Sequence, residues 1–256
     1  MNGSKTYMTD VVEVVKLGEH YQIKQLSVLN VGGWQEYLDF GLDDDLTPVR
    51  PLTLRKNNFK LKNNISRAIT TCRNIALSNP WEWFVTLTLD PKKYDRYNLE
   101  KFHKDLSAFI KSTNRRLGSH ISYLFVPERH KNGAWHMHGL VNNLPNQLLS
   151  VNSNGYYNWD EYSSVFGFVN LSPIKSHAAV SLYITKHLGK QIYNGSVEVG
   201  SHLYYCSRGL NRGSIVGYYK ASDLPNDFNY QYVSADGSFK SSFFEDSSFL
   251  KSIGLL

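Results

Sequence analysis

The sequence predicts an α+β protein whose central sheet is at least partly antiparallel. Two observations carry that prediction. Runs with a two-residue apolar period alternate along the chain with segments of helical period. Two of the strand-like runs, at about 121–128 and 135–141, are joined through Asn132-Gly133, a tight-hairpin signature that parallel strands do not need.

The elements follow in order. Val11, Val12, Val14 and Val15, then a run from Tyr21 to Leu26 with Gly18-Glu19 between them, predict a β-hairpin. Asp43-Asp44-Asp45 with Pro48 and Pro51 marks a boundary. Over residues 58–77, Ile65, Ala68, Ile69, Cys72, Ile75 and Ala76 recur at helical spacing, while Lys60, Lys62, Arg67 and Arg73 fall largely outside that stripe; Pro80 ends the helix. The run from Trp83 to Leu89 is strand-like and puts Thr86 and Thr88 on one face, with Val85, Leu87 and Leu89 on the other. A second basic helix spans 99–117, with Phe102, Leu106, Phe109 and Ile110 as its core stripe. Strands follow at 121–128, 135–141 and 166–171, then a helix from 177 to about 188, and short strands near 202–206 and 214–219. This divides the chain into an acidic extension at 1–49, a central domain at 50–220 and a second extension at 221–256.

Charge separates along the same lines. The net charge of +6 is the balance of −5 over residues 1–49, +10 over 50–116, +4 over 117–220 and −3 over 221–256. A basic middle between acidic ends is what a phosphate-neutralising surface requires. Two cysteines, Cys72 and Cys206, cannot form a disulfide framework, and no CxxC pair is present. No apolar leader or membrane-length run occurs, so a cytoplasmic, membrane-free protein is expected. No Walker motif is present, which argues against a nucleotide cofactor.

The densest chemistry lies between Val126 and Val141. On a strand, His136 and His138 share a face while Met137 takes the other, so two imidazoles converge as metal ligands do. The nearest carboxylate for a third ligand is Glu128. A two-residue turn at Asn132-Gly133 would set Glu128 opposite Met137, on the wrong face, leaving His130 or a distant acid to take its place. A three-residue loop, Lys131-Asn132-Gly133 with Gly133 left-handed, sets it beside His136, and this bulged hairpin is the prediction. On the helix beginning at 177, Tyr183, Lys186 and Lys190 fall in one arc, with Val180, Ile184 and Leu188 opposite. A free phenol, with a pKa near ~10, is a poor nucleophile, but a metal-polarised phosphate and nearby ammonium groups make its attack feasible.

Phe84-Val-Thr-Leu-Thr-Leu89, Glu128 with His136-Met-His138, and Tyr183-Ile-Thr-Lys186 resemble, in order, the three motifs of the HUH endonucleases, in particular the rolling-circle replication initiators of phages and plasmids. The resemblance spans about residues 58–220. It implies an RRM- or ferredoxin-like antiparallel sheet flanked by helices, and Mg²⁺ or Mn²⁺ on Glu128, His136 and His138. It also implies attack by Tyr183 on one strand of single-stranded or supercoiled origin DNA, with Lys186 positioning the phosphate. The products would be a 5′-phosphotyrosine and a 3′-OH for a host polymerase, with a host helicase opening the duplex, in the cytoplasm of a bacterial host. A transesterification needs no ATP. Where some phage relatives carry a second tyrosine, this sequence has His187, which favours a single-tyrosine enzyme; Tyr204 and Tyr205 lack a lysine at i+3.

Arg67, Arg73, Lys190, Arg208 and Arg212 are the DNA-binding candidates, the last two as phosphate grips near the site. A transposase or mobilisation relaxase would use the same chemistry on another element. An iron oxygenase would leave Tyr183 and Lys186 without purpose, and a metal-free RRM-like binding module would ignore both chelators and Tyr183.

Overall fold

The computed structural model describes residues 5–8, 11–26, 28–31, 56–153, 155–193, 202–233 and 239–256, with side chains for 11–25, 67–153, 155–186, 202–233 and 240–256. In chain order the elements are β1 (Lys5–Met8), β2 (Val11–Leu17), β3 (His20–Leu26), β4 (Val28–Val31), α1 (Lys56–Ser78), β5 (Trp83–Thr88), α2 (Leu99–Leu117), β6 (Ser122–Arg129), β7 (Trp135–Asn142), β8 (Leu149–Val151), β9 (Tyr157–Trp159), α3 (Asp160–Val165), β10 (Val169–Pro173), α4 (His177–Tyr193), β11 (Tyr205–Cys206), β12 (Ser214–Lys220), β13 (Tyr232–Val233), β14 (Phe239–Phe244) and α5 (Ser248–Ser252). The fold is α+β, and every strand pairing among the described residues is antiparallel.

The chain forms two compact units, one of residues 57–212 and one of residues 1–56 with 213–256. The larger is a seven-stranded sheet of order β11-β6-β7-β5-β10-β9-β8. Alternation along the strands assigns its two faces. Val85, Leu87, Phe125, Met137 and Val141 point to one, where they pack with Phe102, Leu106 and Ile110 of α2 and with Trp159 and Tyr162. Leu124, Val126 and Leu140 point to the other, against Cys72, Ile75 and Ala76 of α1 and Ile184 of α4. The apolar stripes of α1 and α2 are therefore the two lids of the sheet. Helix α2 is fixed at both ends: Asn98 Oδ1 accepts from Lys101 N, and Gly118 closes the C-terminus at φ 61°.

Pro127 sits inside β6, a position that would break a central strand because proline donates no ladder bond. It is tolerated because β11 pairs only with Leu124 and Phe125, so β6 is an edge from there on.

The smaller unit holds a sheet of order β12-β2-β3-β14-β13. The strand near 214–219 therefore pairs with β2 rather than with the central sheet to which the sequence assigned it. Likewise, the stretches read as two separate extensions meet in one sheet, since β14 zips along β3 from Phe239↔Leu26 to Phe244↔Tyr21. The physical reason is burial: Val12, Val14 and Ile23 need a second layer, and Leu224, Leu250, Leu255, Phe244 and Phe249 supply it. The N-terminal hairpin itself is as expected, turning at Gly18 with φ 65°.

Candidate functional site

The hairpin between β6 and β7 closes as a three-residue loop. His130 N donates to Ala134 O at 2.8 Å, Gly133 N donates to His130 O at 2.8 Å, and Gly133 has φ 87°. Glycine meets that left-handed requirement without the Cβ penalty. The register that results pairs Glu128 with His136 and Val126 with His138, as the bulged loop predicts. On the other side of β7, Thr88 pairs with His136 and Thr86 with His138. Glu128, both histidines and both threonines thus share the face that α1 and α4 cover.

The three ligand atoms converge. Glu128 Oε2 lies 3.1 Å from His138 Nε2 and 3.4 Å from His136 Nε2, and the two Nε2 atoms are 3.0 Å apart. Among the described residues this is the one cluster of side chains arranged to hold a metal ion. The spacing fits one: donors in adjacent positions around an octahedral ion, each at about 2.1 Å, stand about 3.0 Å apart. Both histidines are buried and Glu128 is half-buried. Burial first, then His138 and His130, push the His136 imidazole down to about 4, with Glu128 opposing. It is therefore neutral at physiological pH, the form that donates a lone pair to a metal.

Neighbours orient these rings. Thr86 Oγ1 is 3.1 Å from His138 Nδ1, so a proton on Nδ1 leaves the Nε2 lone pair facing Glu128. The His130 ring stacks on His136 at 4.0 Å. Sequence reasoning placed Thr86 on this face but gave it no task, and it held His130 only as a substitute ligand; the two-residue period of β5 beside the His-x-His strand was the available signal for Thr86.

Tyr183 projects from α4, 44% exposed, with its ring 6.2 Å from that of His138 and 5.1 Å from that of Phe84, edge-on to both. Ile184 on the opposite side of the helix is fully buried, so the apolar face pins the helix while the phenol stays open to solvent and beside the triad. Lys186 is exposed one turn on. The side chains of His187 and Lys190 lie outside the described residues.

The arginines are less concentrated than expected. Arg67 is exposed on α1, but Arg73 is half-buried, its Nε has no hydrogen-bond partner among the described residues, and desolvation holds its guanidinium below the usual range. Arg208 is exposed but follows Ser207, whose N donates to Tyr123 O, so it lies level with the start of β6. At about 3.3 Å per residue that is about 20 Å along the strand from Glu128. Arg212 follows Asn211, which is hydrogen-bonded both ways to Asn79 at the far end of β5 from Thr88. The expectation that these two arginines grip phosphates near the triad is corrected by the register of β6 and β11, and Arg208 lines a separate cleft with His103 and Lys111.

Among the described residues, no helix is long and apolar enough to cross a membrane. Searches of curated proteins and of solved structures gave no match. Residues 82–192, which run from just before β5 through most of α4, match the family model of the replication-associated protein ORF2, and that match places the segment bearing the triad and Tyr183 with the replication-associated proteins of this family.

Proposed function

We propose that this protein initiates replication by nicking one DNA strand at an origin, with Tyr183 as the nucleophile beside a metal centre formed by Glu128, His136 and His138. The observation that carries the proposal is the approach of the Tyr183 ring to within 6.2 Å of the His138 ring, on the face where the three ligand atoms converge. A divalent cation on those ligands, Mg²⁺ or Mn²⁺, would supply Lewis-acid polarisation of the scissile phosphate. Tyr183 Oη forms a bond to phosphorus as the bond from phosphorus to the 3′-oxygen breaks; the phenol gives up its proton and the departing 3′-oxygen gains one. The 5′-phosphotyrosine keeps the energy of the broken phosphodiester, so a 3′-OH can later reverse the step without ATP. Lys186, one turn from Tyr183, positions the phosphate. Arg67, Lys190 and the more distant Arg208 and Arg212 contribute salt-dependent affinity along the strand. A host polymerase would extend the 3′-OH and a host helicase would unwind the duplex. The replication-associated family match favours this role over transposition or mobilisation.

The direct test incubates the protein with single-stranded origin DNA and Mn²⁺ and resolves products under denaturing conditions. A protein–DNA adduct that survives denaturation, and that chelation prevents, is the expected result. Binding without any adduct would reduce the protein to a nucleic-acid-binding module.

The Thr86 contact leads to a second expectation. Thr86→Val keeps the shape of the side chain but removes the partner of His138 Nδ1. Loss of such an outer hydrogen bond weakens metal affinity by about 10–100-fold, measurable as Mn²⁺ binding by electron paramagnetic resonance. Native affinity in the variant would mean that Thr86 orients nothing. Two imidazole donors also make the site a better match for Mn²⁺ than for Mg²⁺, and the same titration run in competition reads that preference.

A further inference from the structure

A second cleft, of about 540 Å³, opens beside the metal-ligand end of the sheet, within the range of about 300–1,000 Å³ that small-ligand sites occupy. Its walls come from Thr88 at the end of β5, Arg96 in the connection to α2, His130 and Lys131 at the hairpin, and Trp135 at the start of β7. It adjoins the triad by two independent contacts: Thr88 pairs with His136, and the His130 ring stacks on His136. The wall is also tied down, since Trp135 N donates to Arg96 O at 2.8 Å and fixes the β5–α2 connection against β7.

Its chemistry is one-sided. Arg96, His130 and Lys131 line it, and among the described residues no carboxylate does. Arg96 Nε is buried without a hydrogen-bond partner among the described residues, a donor whose desolvation is uncompensated until an acceptor arrives. Trp135 adds an aromatic wall, with Arg129 held over its ring at 5.6 Å. Cations beside an aromatic surface are the combination that holds unpaired nucleotides, where phosphates take the charge and the base takes the ring. A duplex offers no free base face here.

We propose that this cleft holds one nucleotide of the DNA strand next to the scissile phosphate, with its flanking phosphates on Arg96 and Lys131 and its base against Trp135. The proposal rests on the nicking function above and adds a subsite to it. By holding the strand one step from the break, the cleft fixes the phosphodiester over the triad before Tyr183 attacks, and it does so without reading sequence.

The test uses the full chain, chelator to block cleavage, and an oligothymidylate of about 12 nucleotides, inside the range of single-strand site sizes. Affinity is measured by fluorescence anisotropy over a salt series. Each of Arg96→Gln and Lys131→Gln is expected to weaken binding and to lower the slope of log affinity against log salt by about 0.7, the value of one single-strand phosphate contact. Trp135→Leu should cost about tenfold and Trp135→Phe clearly less, because the phenyl ring still stacks. Lys131 is exposed in the hairpin loop, so its variant tests the cleft even if the others fold poorly. Native affinity and slope in Lys131→Gln, in a protein whose native form makes the Tyr183 adduct, would overturn the subsite and leave the nicking function standing. A native protein that forms no adduct with origin DNA and binds the oligonucleotide no better than a protein lacking this site overturns both.

Discussion

Tyr183→Phe is expected to abolish the covalent protein–DNA adduct, with residual strand cleavage at least about a thousandfold below native, while single-strand binding and Mn²⁺ binding stay within about twofold. The substitution removes one oxygen and keeps the ring. Its edge-on contact with Phe84 is therefore retained, and so is the anchoring of α4 through Ile184, which lies on the other side of the helix. A loss of about a thousandfold is about 4 kcal/mol of transition-state stabilisation, too much for a packing change at a side chain 44% exposed. The other tyrosines near the end of the domain are poorly placed to substitute. Tyr205 stacks on His103 at 3.7 Å, joins the α2-side core, and has its phenol pushed up by burial. Tyr204 packs with the core on the α1 side. An undiminished adduct in Tyr183→Phe would move the nucleophile elsewhere, and mapping the modified peptide would show where.

How much of this site was legible in the sequence depends on the distance over which each feature is determined. The pairing of Glu128 with His136 was legible because it follows from a local choice, the three-residue loop that left-handed Gly133 permits. The exposure of Tyr183 opposite Ile184 follows from helical period alone. The position of Arg208 was not legible, since it depends on which residues of β6 the two-residue strand β11 meets. The fold shows the same division. Helix α2 was read at its observed bounds because Asn98 caps it, Gly118 ends it and its apolar stripe is continuous. Strand β14, rich in serine and lacking β-branched residues, has little pattern of its own; it is a strand because β3 offers it a partner and Phe244 finds a core. The short arm β8–β9 and α3 escaped for the same reason, being three to six residues long.

Gly139→Ala is expected to be the most damaging small substitution in the central sheet. Gly139 follows His138 on β7 and pairs with Phe125 of β6. A Cβ built there would stand 2.2 Å from Phe125 Cδ1 and 2.6 Å from Leu124 O. The first contact is with a ring that is itself fully buried, and the second is with backbone, so neither can give way cheaply. Relief requires β6 and β7 to separate or the Phe125 ring to leave its place against Tyr123, with which it stacks at 4.6 Å. Overpacking of this kind costs about 1–3 kcal/mol, and each kcal/mol lowers Tm by about 2–4 °C in a protein of this size. The cost has a functional side, because the two strands that must separate are those that carry Glu128 and the histidines. Separation lengthens the 3.1 Å and 3.4 Å approaches of Glu128 to the imidazoles, so Mn²⁺ affinity should fall together with Tm. A double variant tests the cause. Phe125→Leu removes the ring that the new methyl strikes, and in combination with Gly139→Ala it should recover at least about 0.5 kcal/mol relative to the sum of the two single changes. Additive losses would place the strain on the Leu124 carbonyl instead, and a Gly139→Ala protein as stable as the native one would show that the strands at this point are looser than their register and burial require.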